Sequence, residues 1–536
     1  MLRAHSELKP AEEIINPLLT DFYELTMAYG YWKSGKHEER AVFDLHFRKC
    51  PFGGEFAVFA GLGDVLRFLK DYHFDDGQID YLKAHMPGCD PGFFDWLKGV
   101  DCSQVKLYTL KEGMLAFPRV PLITVEGPLA IAQLLETTLL NLVNYATLIT
   151  TNALRFRLAA GPNKVLMEFG LRRAQGPDGG LSASRYAFMG GFDSTSNVLA
   201  GRLFDIPISG THAHSWVQSF LSLREVKGAT LVDTQGKPHD FTQLVLSCRE
   251  ELGYSYTNDD ELASFIAYAL AWPHSFLALV DTYDTLRSGV PNFLAVALAL
   301  CRLGYKPVGI RLDSGDLAFL SKEARKMFRQ VGDRFGVDFA RLRIAASNDI
   351  NEETLLALNQ QGHEIDTFGI GTHLVTCQAQ PALGGVYKMV EVDESARIKL
   401  SQDIGKVTIP GLKLAYRLIG ANDVPLLDLM MKADEPPPEP GQRILCRHPF
   451  DETKRAYVTP SAVVPLHEVV WDGQPNTRVV QTLAQTRQFV LDQIAHMRAD
   501  HIRALNPTPY KVSVSEKLYQ FMHELWLEEA PVAEIK

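Results

Sequence analysis

The stretch IPISGTHAHSW, residues 206–216, changes character in its middle. Two isoleucines come first, spaced as they would be on one face of a strand, and a glycine then precedes threonine, two histidines and a serine. A short buried strand that ends in polar, titratable side chains is typical of α/β proteins, whose ligands bind beyond the carboxyl ends of the strands. The stretch therefore predicts part of a site, and other segments are expected to end in the same way.

From about residue 164 onward, short apolar runs alternate with segments of helical periodicity. Each apolar run ends in glycine and polar residues, and alternating strands and helices predict a parallel sheet. The runs predicted as strands are 164–168, 206–209, 276–280, 308–310, 344–346, 365–368 and 386–390. Six or seven such units favour a closed or nearly closed barrel over an open sheet. Because residues 215–275 are mostly helical, we expect an irregular, TIM-like α/β barrel.

The segments on either side of this pattern predict two further regions. Residues 1–160 predict an N-terminal α+β domain, with a helix at 16–32 that begins near Thr20 or Asp21. Residues 161–395 then form the barrel with the catalytic site. Residues 396–536 form a C-terminal region that packs partly back on the N-terminal domain. This region contains the clearest linker, DEPPPEPG at 434–441, and an amphipathic helix near 478–504.

Composition excludes several classes of protein. The chain has 536 residues, 46% of them apolar, and a net charge of −10, which suits a globular protein with a large core. An acidic chain is a poor candidate for binding nucleic acid or anionic membranes. Seven scattered cysteines without a C-x-x-C pair predict reduced thiols in the cytosol. We see no signal peptide, and the longest apolar run, 293–301, is too short to span a bilayer.

Positive charge is concentrated in one part of this acidic chain. Between residues 155 and 185, only Glu168 and Asp178 oppose six basic residues: Arg155, Arg157, Lys164, Arg172, Arg173 and Arg185. Arginine pairs bidentately with phosphate oxygens, so this inversion predicts a phosphate site. The alternative interpretation is a solvated basic face.

The later strand exits carry glycines and acids. Gly369-x-Gly371-Thr372 follows a late strand, where glycines let backbone N–H groups approach a phosphate, although a lone G-x-G is often only a turn. Asp281, Asp313 and Asp316 follow neighbouring strands and could hold a metal–diphosphate complex. Asp316 could equally be the N-cap of the next helix.

The two histidines of the opening stretch allow a different chemistry. On a barrel strand, an H-x-H pair with a later acid would predict a zinc hydrolase, because alternate residues of a strand point the same way. Against this, Gly210 and Ser215 indicate that the strand has already ended. A further alternative is a catalytically silent binding protein, against which the full set of charged strand exits argues.

Taken together, the blocks resemble the nicotinate phosphoribosyltransferase family over nearly the whole chain. No single block is specific, but several in the right order are. The blocks that carry the resemblance are PLLTDFY at 17–23, LRRAQGPDG at 171–179, GFDSTSN at 191–197, GTHAHS at 210–215, RLDSGD at 311–316 and FGIGTH at 368–373.

The resemblance implies an activity and its partners. Members of this family join nicotinate to 5-phosphoribosyl 1-diphosphate (PRPP), forming nicotinate mononucleotide and diphosphate in the first step of NAD biosynthesis from nicotinate. ATP is the co-substrate and Mg²⁺, or Mn²⁺, the cofactor. The resemblance also implies a type II phosphoribosyltransferase fold and a cytosolic homodimer whose active site lies at the subunit interface. The expected partners are small molecules only, without nucleic acid or membrane.

The resemblance also assigns residues to nicotinate. Tyr23 is expected to stack on the pyridine ring from the partner subunit, and Thr211 and Arg311 match the pair that contacts nicotinate. Relatives that use nicotinamide carry an acid directly after Gly-Thr, where this chain has His212. The lack of a fixed negative charge there favours nicotinate, although human-type members often carry an apolar residue at this place.

The remaining assignments concern phosphates and ATP. His214 matches the histidine that ATP phosphorylates, and Asp281 or Asp313 is expected to orient it or to hold the metal, directly or through water. Which acid does which is left open. The residues expected to bind the phosphates of PRPP are Arg172, Arg173, Ser347, Asn348, Gly369, Gly371 and Thr372.

Overall fold

The computed structural model describes residues 14–476 and 481–530. The helices are α1 Phe22–Lys33, α2 Leu62–Lys70, α3 Asp76–His85, α4 Pro91–Lys98, α5 Leu129–Leu134, α6 Glu136–Ala160, α7 Gly176–Met189, α8 Val198–Phe204, α9 His214–Gln218, α10 Phe241–Leu252, α11 Asp259–Ala271, α12 Val290–Arg302, α13 Leu317–Phe335, α14 Glu352–Gln361, α15 Thr372–Val375, α16 Leu483–His496 and α17 Glu516–Glu529. Within the described ranges, none of these helices is both long and apolar enough to cross a membrane.

The strands are β1 Arg40–His46, β2 Ala57–Val58, β3 Lys106–Leu110, β4 Leu115–Ala116, β5 Ile123–Pro128, β6 Val165–Glu168, β7 Ser194–Thr195, β8 Thr230–Val232, β9 Pro238–Asp240, β10 Leu277–Leu279, β11 Gly309–Leu312, β12 Arg343–Ala346, β13 Thr367–Ile370, β14 Val386–Val392, β15 Ser395–Ala396, β16 Lys413–Ile419, β17 Pro425–Lys432, β18 Ile444–Arg447, β19 Arg455–Val458, β20 Ala462–Pro465, β21 His467–Asp472 and β22 Val512–Ser515.

The chain forms two compact units. Unit 1 comprises residues 1–152 and 379–536, and unit 2 comprises residues 153–378, so the chain passes between them within α6. The three regions expected from the sequence, divided at residues 160 and 395, stay a prediction.

Unit 1 contains two six-stranded sheets. The first has the order β15-β14-β1-β5-β3-β21 and is antiparallel throughout. Its strand β14 includes Lys388, and the sequence assigned this run to the barrel, which is wrong. The run pairs antiparallel with β1, with Asp44 opposite Lys388. It is buried only at intervals along its length, as suits an antiparallel strand with one covered face.

The second sheet of unit 1 has the order β19-β18-β22-β17-β16-β20. The hairpin of β16 and β17 supplies most of its core, which includes Leu418, Leu427 and Leu429. Strands β18 and β19 follow the proline-rich stretch 434–441 and pair with each other as an antiparallel hairpin. The helix expected at 478–504 is α16, which Thr482 and Gln485 begin with a reciprocal capping box. Residues 477–480 lie outside the described part of the chain.

Unit 2 is built on a parallel sheet of order β10-β11-β12-β13-β6-β7. Its strands are short apolar runs that are buried along most of their length, as expected for a sheet covered on both faces. Five of the runs expected from the sequence are confirmed as β6, β10, β11, β12 and β13. The α/β class is therefore confirmed, and β7 is an additional strand.

The ladders of this sheet leave it open between β7 and β10 in the part of the chain that the structure describes. The expected strand at 206–209 pairs with β7 only through a single bridge, Thr195 to Ile208, before the chain turns toward α9. One bridged residue is too short a contact to continue a ladder. The sheet therefore corresponds to part of a barrel, and the closed barrel favoured by the sequence is not formed by strand pairing.

Candidate active site

Polar side chains converge where β10, β11 and β12 end. Because these neighbouring strands are parallel, their carboxyl ends meet at one edge, and Asp281, Asp313 and Ser347 follow within two residues of the strand ends. The segment 206–216 crosses the same edge and brings Thr211 to Arg311 of β11. The structure therefore brings together five of the residues that the sequence singled out.

Arg311 is held by three hydrogen bonds from its three nitrogens. Its Nε donates to Ser347 Oγ at 2.8 Å, Nη1 to Thr211 Oγ1 at 3.0 Å and Nη2 to Asp313 Oδ1 at 3.1 Å. The Ser347 hydroxyl donates in turn to Asp313. A guanidinium has five N–H groups, so one remains on each terminal nitrogen. The group is therefore oriented and can still grip a two-oxygen anion.

Phe169 lies against this arginine. The Arg311 guanidinium carbon is 5.6 Å from the centre of the Phe169 ring, within the range of a cation–π contact. The same ring faces Gly369, where an added Cβ would lie 2.5 Å from it. Sequence reasoning missed Phe169, although an aromatic residue directly after a predicted strand was a usable signal.

His214 is the first residue of α9, and its side chain is 40% exposed. Its Nδ1 lies 3.0 Å from Thr282 Oγ1. Its Nε2 lies 3.7 Å from Asp313 Oδ2 and 3.9 Å from Asp281 Oδ1. The imidazole is therefore fixed from both sides and still open to solvent. Thr282 was not predicted, and its only signal was its place beside Asp281.

Asp281 is the most deeply buried acid of the group, with a side chain only 2% exposed. Its Oδ2 accepts from the backbone N–H of Asp313 at 3.2 Å and from the Ser314 hydroxyl. Its Oδ1 is buried and has no hydrogen-bond partner among the residues that the structure describes. A buried carboxylate oxygen left in this way is costly unless a cation or donor arrives.

The acids of this edge do not make a complete metal site. Among the described residues, no group of three or more histidine, cysteine or acidic side chains is placed to hold a metal ion. Asp316 caps α13, because its side chain accepts from the N–H of Phe319 at 2.9 Å. Asp281 and Asp313 remain, and two carboxylates fit an ion that completes its shell with water and substrate oxygens.

His212 faces away from the Arg311 group. Its Nε2 accepts from the backbone N–H of Leu279 at 3.2 Å, and its ring lies 4.7 Å from that of Tyr268. Burial lowers the pKa of His212 to about 4. The side chain packs against β10 and α11, and its meaning for the choice between nicotinate and nicotinamide stays a prediction. The two histidines also do not converge on one ion.

The exit of β6 is organised by a buried acid. Glu168 is 1% exposed and accepts from the N–H of Gly170, from Ser184 Oγ at 2.8 Å and from Thr195 Oγ1 at 2.6 Å. These bonds fix the loop that leads to Arg172 and Arg173, whose side chains are exposed. Sequence reasoning treated Glu168 only as a charge that opposes the basic cluster.

The expected phosphate seat lies at the exit of β13. Gly371 precedes α15, which begins at Thr372. The neighbouring exit of β12 carries Asn348 and Asp349 at φ values of 148° and 50°, which non-glycine residues adopt at a cost. His373 Nε2 lies 3.3 Å from Asp349 Oδ1 and links the two exits. Asn348 itself is exposed.

Tyr23 belongs to unit 1. It lies in the first turn of α1, is 45% exposed and follows the 59% exposed Phe22. Burial of its hydroxyl, with Glu136 and Glu24 nearby, raises the pKa of Tyr23 to about 12. The next residue, Glu24, is fully buried and accepts from the N–H of Thr137 at 2.9 Å. Burial raises the pKa of Glu24 to about 7.

Comparison with protein families covers nearly the whole chain. Residues 18–144 match the model of the nicotinate phosphoribosyltransferase (NAPRTase) N-terminal domain. Residues 165–410 match the model of the nicotinate phosphoribosyltransferase (NAPRTase) family, and residues 412–522 match that of the C-terminal domain.

Individual proteins agree with the family models. Nicotinate phosphoribosyltransferase 1 of Arabidopsis thaliana is 54% identical over 98% of this chain and 96% of its own length. Nicotinate phosphoribosyltransferase of Homo sapiens is 45% identical over 97% of this chain and 98% of its own. The crystal structure of human nicotinic acid phosphoribosyltransferase superposes with a TM-score of 0.84 at 44% identity, covering 94% of this chain and 99% of the human one.

Proposed function

The chain belongs to the nicotinate phosphoribosyltransferase family of enzymes, and from this membership we propose how its residues use nicotinate, PRPP and ATP. The proposed reaction joins the pyridine nitrogen of nicotinate to C1 of the ribose and releases diphosphate. The observation that carries the assignment is Arg311, which three partners orient and which keeps one N–H on each terminal nitrogen. That fork matches the two oxygens of the nicotinate carboxylate.

Stacking and electrostatics supply the catalysis in this proposal. Loss of diphosphate builds oxocarbenium character at C1, so there is little for a general base to do. Phe169 provides a fixed aromatic wall beside Arg311, against which the pyridine ring is placed for attack. Arg172 and Arg173 stabilise the leaving diphosphate, and the backbone at Gly369 and Gly371 receives the 5-phosphate with Thr372, Ser347 and Asn348.

His214 is the proposed phosphoryl acceptor from ATP. Asp281 and Asp313 both lie on the Nε2 side, which favours the proton on Nε2 and leaves a lone pair on Nδ1. Nδ1 attacks the γ-phosphorus of ATP, the bond to the bridging oxygen breaks, and ADP leaves with the electron pair. Thr282 Oγ1, which lies 3.0 Å from Nδ1, holds the ring in register until Nδ1 attacks. Water later takes the phosphoryl group as orthophosphate.

Asp281 and Asp313 are the residues that would hold Mg²⁺ or Mn²⁺. The unpartnered Oδ1 of Asp281 supports this role, because a cation would satisfy it. A bound divalent ion would neutralise diphosphate oxygens as charge develops on them.

The proposal includes an assembly and a compartment. The exposed rings of Phe22 and Tyr23 support a homodimer in which Tyr23 of the partner subunit stacks on the pyridine ring. The seven cysteines carry thiols, which supports a cytosolic location. The irregular barrel also remains part of the proposal, because segment 206–212 bonds to β7 on one side and to β10 on the other.

A parallel assay of nicotinate, nicotinamide and quinolinate with PRPP, each with and without ATP, tests the function. Of the three substrates, we expect only nicotinate to give nicotinate mononucleotide and diphosphate. The yield should be higher when ATP is present. His214→Ala should remove both ATP hydrolysis and the ATP-dependent part of turnover. Absence of nicotinate mononucleotide would overturn the reaction, and unchanged ATP hydrolysis by His214→Ala would overturn the phosphohistidine.

A further inference from the structure

We propose that His212 is a positioning residue. Its side chain makes the hydrogen bond between segment 206–212 and β10 that strand pairing would otherwise make, and thereby places Thr211 and His214. This inference rests on the function proposed above for those two residues. It assigns a role to a side chain that touches neither nicotinate nor phosphate in that mechanism.

The first observation is the gap that His212 occupies. On one side, segment 206–209 bonds to β7: Thr195 N–H donates to Pro207 O and Ser209 N–H donates to Thr195 O, both at 3.0 Å. On the other side, the sheet begins again with β10, whose Leu279 N–H donates to His212 Nε2. A side chain thus makes the bond that a neighbouring strand's carbonyl would otherwise make.

The second observation is that this contact requires a neutral imidazole. Nε2 accepts from Leu279, so the proton is on Nδ1, which lies 3.5 Å from Ala213 O. The ring is only 8% exposed and is enclosed by Tyr268 and Phe265 of α11, with centroid separations of 4.7 Å and 6.2 Å. The bond is therefore both buried and fixed in direction.

The third observation is what the contact sets in place. Thr211 lies directly before His212 and bonds to Arg311, and His214 lies two residues after it and bonds to Thr282. Thr282 comes three residues after Leu279, so β10 and the loop that follows it provide the partners of both histidines. Loosening His212 would shift the nicotinate contact and the phosphoryl acceptor together. An apolar residue could fill the space but could not accept from Leu279.

Two substitutions separate the acceptor from the bulk of the ring. His212→Phe keeps a ring of similar size and removes the acceptor, whereas His212→Gln offers an amide oxygen at a similar reach. The matched control is His363→Phe, because His363 Nδ1 also accepts a backbone N–H, that of Ile365, before β13 begins. That position lies at the amino-terminal side of the strand, opposite to the site.

The first readout is hydrogen exchange at the Leu279 amide, which is independent of activity. We expect exchange to be at least about tenfold faster in His212→Phe than in wild type or His212→Gln, because a buried N–H loses its acceptor. Unchanged protection in His212→Phe would overturn the proposal even if the enzyme assay failed for another reason.

The second readout is kinetic. In His212→Phe, we expect the KM for nicotinate to rise and the rate of His214 phosphorylation by ATP, followed by intact-protein mass spectrometry, to fall, each about five- to tenfold. His212→Gln should restore both to within about threefold, and His363→Phe should change neither. A purely structural role would lower the folded fraction and leave KM unchanged, which would also overturn the proposal.

Discussion

Two arginines, one in each unit, contact an aromatic ring and a carboxylate. They differ in how many hydrogen-bonding groups around them remain without a partner among the described residues. In unit 1, Arg417 lies over Phe117 and bonds to both oxygens of Asp428, at 2.8 Å and 2.9 Å. Tyr510 donates to the same carboxylate at 3.0 Å. In unit 2, Arg311 lies over Phe169 but makes only one bond to an acid, Asp313.

The difference separates a structural pair from a binding group. Asp428 is 1% exposed and has both oxygens occupied, so nothing further can bind there. Beside Arg311, by contrast, one oxygen of Asp281 accepts no hydrogen bond from the described part of the chain, and the guanidinium keeps unused N–H groups. Closed charge pairs hold a fold in one arrangement, whereas incomplete ones are stabilised by the ligand that completes them.

The largest expected effect comes from breaking the closed pair. Asp428→Asn leaves the Arg417 charge buried without its counter-ion, and we expect the free energy of unfolding to fall by about 3–5 kcal/mol. Activity per folded molecule should stay near wild type. Urea denaturation and kcat under folding conditions measure the two quantities.

The matched control for this change is the exposed pair of Lys98 and Asp76, whose side chains are 58% and 81% exposed. Asp76→Asn should leave the urea midpoint unchanged, because water screens this pair. Equal midpoints for Asp428→Asn and wild type would erase the distinction between the two arginines.

The next effect comes from the incomplete pair. Arg311→Lys replaces a fork with a point charge that cannot keep three partners and a carboxylate. We expect kcat/KM for nicotinate to fall about 100-fold, about 2.7 kcal/mol, mainly through KM, with little loss of stability. Arg302→Lys, in a half-exposed pair with Glu251, is the control and should keep its KM. If Arg311→Lys lowered the free energy of unfolding and kept a normal KM, Arg311 would have a structural role like that of Arg417.

The smallest effect concerns pH and the buried acid behind Tyr23. The folded-state pKa of Glu24 is raised by burial from 4.5 to about 7, so its stabilising contribution is complete below pH 4.5 and lost as pH rises through 7. Glu24→Gln should therefore gain stability relative to wild type between pH 5 and 8, by about 2 kcal/mol. Urea midpoints at four pH values measure the change.

His212 affects stability on the acid side of the pH range, whereas Glu24 affects it on the alkaline side. Its pKa is lowered to about 4, so its contribution is present above pH 6.5 and lost as pH falls toward 4. Burial is the main cause of this shift, the charges of Arg311 and His214 lower the pKa further, and the rings of Tyr268 and Phe265 pack against the imidazole. His212→Phe should flatten the acid side of the stability curve, whereas Glu24→Gln should flatten the alkaline side. Identical curves for both variants would contradict the assignment.

The sequence predicted the edge of the sheet well because parallel strands obey a simple rule. Once β10, β11 and β12 are recognised as neighbouring strands, their exits must meet, and Arg311, Asp313 and Asp281 follow. The resemblance named Thr211 and Arg311 as a pair that contacts nicotinate, and the structure joins their side chains by a hydrogen bond of 3.0 Å. Their roles toward nicotinate stay a prediction.

The features that could not be predicted depend on distant pairing and side-chain direction. Strand β14 was assigned to the wrong sheet because its partner, β1, lies far earlier in the chain. The packing of His212 against Leu279 and Tyr268 could not be predicted, because spacing says nothing about which way a side chain turns once a strand has ended. Phe169 and Thr282 were missed because an aromatic ring or a hydroxyl gains meaning only from its neighbours.

The Glu168 network also bears on the order in which unit 2 folds. Its bonds to Ser184 and Thr195 join residues within 27 positions of one another, so they close short loops. The contact between Arg311 and Thr211 closes a loop of 100 positions. Loop closure costs more entropy as the loop grows, and long-range contacts form more slowly. The exit of β6 can therefore form early, and the contact between Arg311 and Thr211 is completed only after most of the sheet has been assembled.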